Sequence, residues 1–212
     1  MSMRRLPRVV VCLVLVALSA CSSSSKPTSA ASQSAGAAPS VVIPSSAREL
    51  EALLLTNVPP GFVQQADTVG DTGPSSLSKA ASDDGSPDAA NQLTHEGFVG
   101  GYQRLWENGQ QDQIIVFVYQ FTTTVGAAQD YTRTHPALQS KAPPNSTSFD
   151  VPGLTSDKGS GIVGSSSTFA AAIVDFTTSV YNVRIVCNAI TADGLQQRVT
   201  QLATDQLARL SH

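Results

Sequence analysis

The chain has 212 residues, 41% of them hydrophobic and 14% charged, with 13 Lys and Arg against 16 Asp and Glu. That length suits one domain of ordinary size. A net charge of −3 excludes a polybasic nucleic-acid binder, so no nucleic-acid partner is expected. Charge is scarce because Ser, Thr, Ala and Gly take its place, as in many exported proteins.

Residues 1–20 divide into a basic stretch (Arg4, Arg5, Arg8), an apolar run from Val9 to Leu18 and a small-residue exit at Ser19 and Ala20. This is the pattern of a secretory signal peptide, and its apolar run is about half the ~20 residues that a spanning helix needs. Leu18-Ser19-Ala20-Cys21 resembles the bacterial lipobox, in which the Cys thiol is diacylglycerylated and becomes the first residue of the mature chain. Cleavage there leaves 10 basic against 16 acidic residues, a net of −6. Anionic lipid does not attract such a body, so attachment falls to acyl chains of the palmitate type on Cys21, at roughly 0.8 kcal/mol per buried CH₂. The expected location is the extracytoplasmic face of the cell membrane. Cys12 leaves with the signal peptide and Cys21 carries lipid, so Cys187 is the one remaining thiol and no intramolecular disulfide is available.

Residues 21–46 hold the lipidated Cys and a tether made of Ser, Ala, Pro, Gly and Thr, interrupted only by Lys26, Gln33, Val41, Val42 and Ile43. Such a composition forms no core and spans about 25 to 30 Å as a flexible coil. A single α+β domain is expected over 47–212. Ser46 and Glu49 read as a capping box for a short helix carrying Leu50, Leu53 and Leu54, ended by Asn57, Pro59, Pro60 and Gly61. Residues 66–92 are polar and turn-rich and read as irregular, with a short helix at Leu77–Ala81. Phe98–Glu107 alternates as a strand, Asn108-Gly109 supplies a turn, and Gln113–Thr122 is a second strand. A helix from Gly126 to Thr134 follows and stops before Pro136. A second run repeats the order: a strand over Thr168–Phe176, a turn at Thr177–Ser179, a strand over Val180–Ile190, and a helix with Leu195, Val199, Leu202, Leu207 and Leu210 on one stripe. Two ββα units predict an antiparallel sheet with helices packed on one face.

"PPGF" after the Leu-rich helix, "GFVGGYQRLW" leading to "VYQF", then "VPGL" and a closing "LATDQLARL" resemble uncharacterised cell-envelope lipoproteins of actinobacteria, mycobacterial ones especially. The resemblance covers about residues 48–210 and rests on structural glycines, prolines and apolar residues. It implies a cell-envelope lipoprotein and carries no site residues. The order of elements also looks, more loosely, like the PsbP-like α+β fold.

Motifs for chemistry are sparse. Gly159-Ser160-Gly161-Ile162-Val163-Gly164 matches GxGxxG formally, but no buried strand precedes it and no acid lies about twenty residues on, so it reads as a glycine-rich turn and no cofactor is expected. His95, His135 and His212 are scattered and read as solvated loop residues, which leaves no metal site. Asp83, Asp84 and Asp88 lack the alternation of a calcium loop and read as a solvated acidic loop. Ser76-Leu77-Ser78-Lys79 fits SxxK but reads better with Ser76 as a helix cap. Cys187 alternates with Tyr181, Val183 and Ile185 and reads as a buried small hydrophobe. Tyr102, Arg104 and Trp106 share a strand face and are the candidates for partner binding, with a core role as the alternative. The function these features support is a lipid-anchored binding or accessory domain rather than an enzyme, with an envelope protein, lipid or glycan as partner. The competing class is a small hydrolase acting on cell-wall or lipid substrates, which a pocket with converging Ser, His and acidic side chains would favour.

Overall fold

The computed structural model describes residues 43–70, 72–143 and 145–211. The signal peptide, Cys21, most of the tether and His212 lie outside the described residues. The elements are α1 (Ala47–Ala52), β1 (Val63–Gln64), β2 (Gly73–Ser75), α2 (Leu77–Asp84), α3 (Ala89–Glu96), β3 (Phe98–Glu107), β4 (Gln113–Phe121), α4 (Thr124–Lys141), β5 (Thr147–Phe149), β6 (Gly159–Ser165), β7 (Ala170–Thr178), β8 (Tyr181–Ala189) and α5 (Leu195–Leu210). No helix among the described residues is long and apolar enough to cross a membrane.

The strands form one antiparallel sheet in the order β1-β3-β4-β8-β7-β6-β5, with β2 also paired to β3. The two hairpins meet at its centre, where β4 pairs with β8. The α+β class and the antiparallel sheet are as the sequence leads one to expect.

The helices, however, occupy both faces, and the strands explain why. In β8 the odd positions Tyr181, Val183, Ile185 and Cys187 are apolar, and they align through the register with Ile114, Val116 and Val118 of β4 and with Ala172, Val174 and Phe176 of β7. This first face carries the main core together with Leu50, Leu54 and Leu55 and the stripe Leu195, Val199, Leu202 and Leu210 of α5. The even positions Asn182 and Arg184 are polar and point the other way. There α4 answers with Asp130 and Thr134, which bond to Asn182 and Arg184, and α2 answers with Lys79 and Asp83, which bond to Gln103 of β3. An apolar stripe seeks the apolar face and a polar stripe the polar one.

Several local expectations change. The α4 helix continues through Pro136 to Lys141. Proline removes one ladder bond at a cost of about 3 kcal/mol, and contacts from His135 and Arg133 to the layers beneath hold the helix on course. Gly159–Ser165 is strand β6, not a turn. Residues 66–92 hold β2, α2 and α3. Between β3 and β4 the turn is a loop closed by Asn108, whose Oδ1 accepts from Gln110 and Asp112, and the left-handed residue is Gln111 rather than Gly109. Pro44, assigned to the tether from composition, is buried, and its carbonyl accepts from Gln120. The Ser46 cap forms, but the Glu49 carboxylate returns to Ser45. Gly126 is required by a close approach: a Cβ there would lie 1.9 Å from the Glu96 carbonyl oxygen, so α4 starts directly against the end of α3.

Ending the chain at Ala192 removes α5 and strips the first face. Leu195, Val199, Leu202 and Leu210 are buried; at roughly 1.5 to 3 kcal/mol each they supply on the order of 6 to 12 kcal/mol, comparable to the 5 to 15 that keeps a domain folded. The expected product is insoluble or lacks a cooperative melt by circular dichroism. A soluble product with native-like spectra would show α5 to be peripheral.

Candidate functional site

The polar face carries three linked clusters between the sheet and α2, α3 and α4. In the first, Asp83 accepts from Gln103 and, at 3.0 Å, from the Tyr119 hydroxyl, while the Lys79 ammonium donates to Gln103 Oε1 at 2.7 Å. Burial, reinforced by the Asp83 charge, pushes the Tyr119 phenol far above its ordinary range.

The second cluster centres on Arg133. Its guanidinium grips Glu96 of α3 with two bonds of 2.8 and 2.9 Å, donates to Asp130 at 2.6 Å and bonds Asp84 of α2. Asp130 also accepts from Asn182 of β8 at 2.5 Å. Three carboxylates thus share one cation away from water. Burial raises the Asp130 carboxyl to about 7, against the lowering pull of Asn182 and Arg133 and with help from the Glu96 and Asp175 charges. Asp84 moves the other way: burial raises it, but the hydrogen bonds from Arg133 and Ser86 outweigh that and leave it below its ordinary value.

In the third cluster Asp175 of β7, whose side chain is only 2% exposed, lies 3.6 Å from His135 Nδ1 and 3.5 Å from Arg184 Nε. On the far side of the ring, His135 Nε2 is 3.0 Å from Ser160 Oγ and 3.0 Å from Gln139 Nε2. Tyr131 stacks on the same imidazole with ring centres 5.0 Å apart.

Between the end of α2 and the second half of α4 these clusters open into a cleft of about 180 Å³, walled by Asp84, Ser86, Arg133, Thr134, Lys141 and Arg184. Arg184 is loosely held: Nη2 makes one long bond of 3.4 Å to Thr134, and the buried Nε has no hydrogen-bond partner. Larger hollows of about 540 Å³ at the Asn108 loop and about 550 Å³ beside α5 do not combine two arginines of this kind in their walls. The cleft is smaller than the 300 to 1,000 Å³ of sites that engulf whole small molecules, so it suits one polar group of a larger ligand.

Tyr102, Arg104 and Trp106 are only 2%, 5% and 3% exposed. They lie on the apolar face, where Arg104 bonds the Leu55 carbonyl and the Glu51 carboxylate, and Tyr102 bonds Asp67. That burial removes them as an exposed partner-binding patch; the alternation that grouped them also aligns them with Val118, Val116 and Ile114 of β4. Asp83 and Asp84 are packed on the polar face rather than solvated, and no group of metal-ligating side chains occurs among the described residues. Ser76 caps α2, accepting from the Lys79 amide. Cys187 is buried, which pushes its thiol up to about 12. His95 is exposed, whereas His135 belongs to a helix. Reading that helix through Pro136 would have placed Tyr131, His135 and Gln139 on one stripe at i, i+4, i+8 spacing.

No family model matches the chain, and no curated protein matches it. Among solved structures, the extracellular domain of PknH from Mycobacterium tuberculosis is similar over 80% of this chain and 98% of its own, at 11% identity and a TM-score of 0.50. A GTP binding regulator from Thermotoga maritima is similar over 74% and 84% at 10% identity, with a TM-score of 0.35. The fold is therefore one that an extracellular mycobacterial domain also uses.

Asp130 yields a pH signature. Its folded value of about 7 lies above the unfolded value of about 3.9. Between these the folded chain holds a proton that the unfolded chain has lost, so this group's stabilising contribution falls as pH rises, by up to about 1.4 kcal/mol per pH unit. Asp130→Asn removes that term. The stability difference between variant and parent, from urea midpoints, is expected to move in favour of the variant from pH 5 to pH 7; a constant difference would contradict the raised Asp130 carboxyl.

Proposed function

We propose that this protein is a lipid-anchored extracytoplasmic binding or accessory domain, held at the cell membrane by acyl chains on Cys21, whose ligand places an anionic group in the cleft over Arg184. The observation that carries the binding site is Arg184 itself. The part-buried guanidinium makes one long bond to Thr134 and an ion pair of 3.5 Å to Asp175, with no hydrogen bond at Nε, so it retains donor capacity that a charge-assisted bond to an arriving anion would use. Lys141 adds a cation on the same side, Arg133 being already matched by its three carboxylates, while Asp83, Asp84 and Ser86 offer acceptors to hydroxyl groups of the same ligand. An acidic glycan or lipid head group, or an acidic side chain of an envelope protein, has this chemistry. The lipobox supports the anchor, and the likeness to an extracellular domain supports the location.

Two measurements test the reading. Fed a labelled fatty acid, cells are expected to label the full chain and not Cys21→Ala; label retained in the variant would end the lipid assignment. Titrating inorganic phosphate into nitrogen-15-labelled protein should shift the Arg184 Nε resonance selectively, with the effect lost in Arg184→Gln. An unmoved resonance at saturating phosphate would refute the anion site.

A further inference from the structure

Ser160, His135 and Asp175 come from three separate elements, β6, α4 and β7, yet they meet in the order hydroxyl, imidazole, carboxylate. Gln139 bears on which ring nitrogen carries the proton. Its amide nitrogen can only donate, so at 3.0 Å it favours Nε2 as acceptor and a proton on Nδ1, which faces Asp175 at 3.6 Å without a hydrogen bond. Ser160 Oγ–H then shares the Nε2 lone pair at 3.0 Å. This is the tautomer a base needs to take a proton from a hydroxyl. Arg184 lies 3.5 Å from the far oxygen of Asp175, and Tyr131 stacks on the ring; the Asp175 oxygens make ion-pair contacts to His135 and Arg184 without hydrogen bonds.

Ser160 is part-exposed, and the β5 ladder ends at Phe149 opposite Gly161, one residue short of it. Next along the same face, part-exposed Ile173 lies opposite Ile162, which is only 6% exposed, so Ile173 supplies the apolar contact for a short acyl chain.

We propose that Ser160 is an acyl-accepting nucleophile, with His135 as its general base and Asp175 as the positioning residue for His135, acting on carboxylic esters with short acyl chains. Ser160 Oγ bonds to the ester carbonyl carbon as its proton passes to His135 Nε2. The ester C–O bond then breaks and the departing alkoxide takes that proton, leaving an alcohol and acyl-Ser160. Water repeats the sequence: its oxygen bonds to the acyl carbon, its proton passes through Nε2 to Ser160 Oγ as the acyl bond breaks, and a carboxylic acid leaves. No metal, oxidant or other co-reactant enters. The proposal does not depend on a ligand in the Arg184 cleft.

The experiment uses the full chain, purified from membranes, with p-nitrophenyl butyrate as substrate and a fluorophosphonate as covalent probe. Nitrophenol release above the detergent blank is expected, together with a single adduct mapped to Ser160 by mass spectrometry. Ser160→Ala should abolish both. His135→Phe, which keeps the stack on Tyr131, should lower the rate by about 10² to 10⁴, the range of a lost general base. Asp175→Asn should slow labelling and also change the tautomer populations of His135 read from its ring nitrogen-15 shifts, a signature that a purely structural carboxylate would not control. No adduct at Ser160 in the parent protein, adducts scattered over surface serines, or hydrolysis unchanged in Ser160→Ala would each overturn the assignment. Should a variant fail to fold, the adduct map of the parent decides alone.

Discussion

The Arg133 guanidinium ties the helices of the polar face to the sheet. It reaches Asp84 of α2, Glu96 of α3 and Asp130 of its own helix, and through Asp130 it is tied to Asn182 in the middle of the sheet. Three helices are thereby referenced to one strand. A part-buried arginine paired with buried carboxylates contributes little net stability over an apolar replacement, because desolvation offsets much of the Coulomb gain, but losing one partner leaves charge stranded. Its value lies in geometry: the cleft exists because α2 and α4 are held at its two walls by a shared cation.

The polar seam and the apolar core depend on each other through the strands they share. Each residue of β8 contributes to one face or the other, so Val183 and Ile185 supply core while Asn182 and Arg184, one position away, supply the seam. The aliphatic packing of α5 holds the sheet in the register that brings Asp175 opposite Arg184 on one side and Ser160 on the other. A one-residue slip would exchange the faces and bury these charges in the core, so the hydrophobic pattern indirectly specifies the polar constellation.

The same architecture in the extracellular domain of PknH, at 11% identity, is a statement about the scaffold. Function resides in side chains placed on a scaffold, and here those side chains converge on one face in two neighbouring arrangements. Arg184 belongs to both. It walls the cleft and also lies against Asp175, so an anion engaging its guanidinium would weaken its hold on the carboxylate beside His135.

Period and punctuation were enough to read much of the scaffold. Phe98–Glu107 and Leu195–Leu210 fall where alternation and the leucine stripe put them, because long, strongly patterned segments are dictated by the face they bury. The first helix cap and the buried Cys187 are local consequences of the same kind. Segments whose structure is decided by partners distant in sequence were not legible. Strand β6 is rich in Gly because Phe149 and Phe176 press against Gly161 and Gly159, contacts invisible until β5 and β7 flank it. The helix beyond Pro136 persists because His135 and Arg133 anchor it from beneath. Tyr102, Arg104 and Trp106 turn inward because a helix covers their face, which alternation alone does not reveal. From the sequence by itself came the α+β class and the apolar stripe of the last helix, both read from patterns within short windows. Only the tertiary structure decided that helices take both faces of the sheet and that Ser160, His135 and Asp175 meet, because a constellation drawn from three elements exists only once β-register and helix packing have set the distances between them.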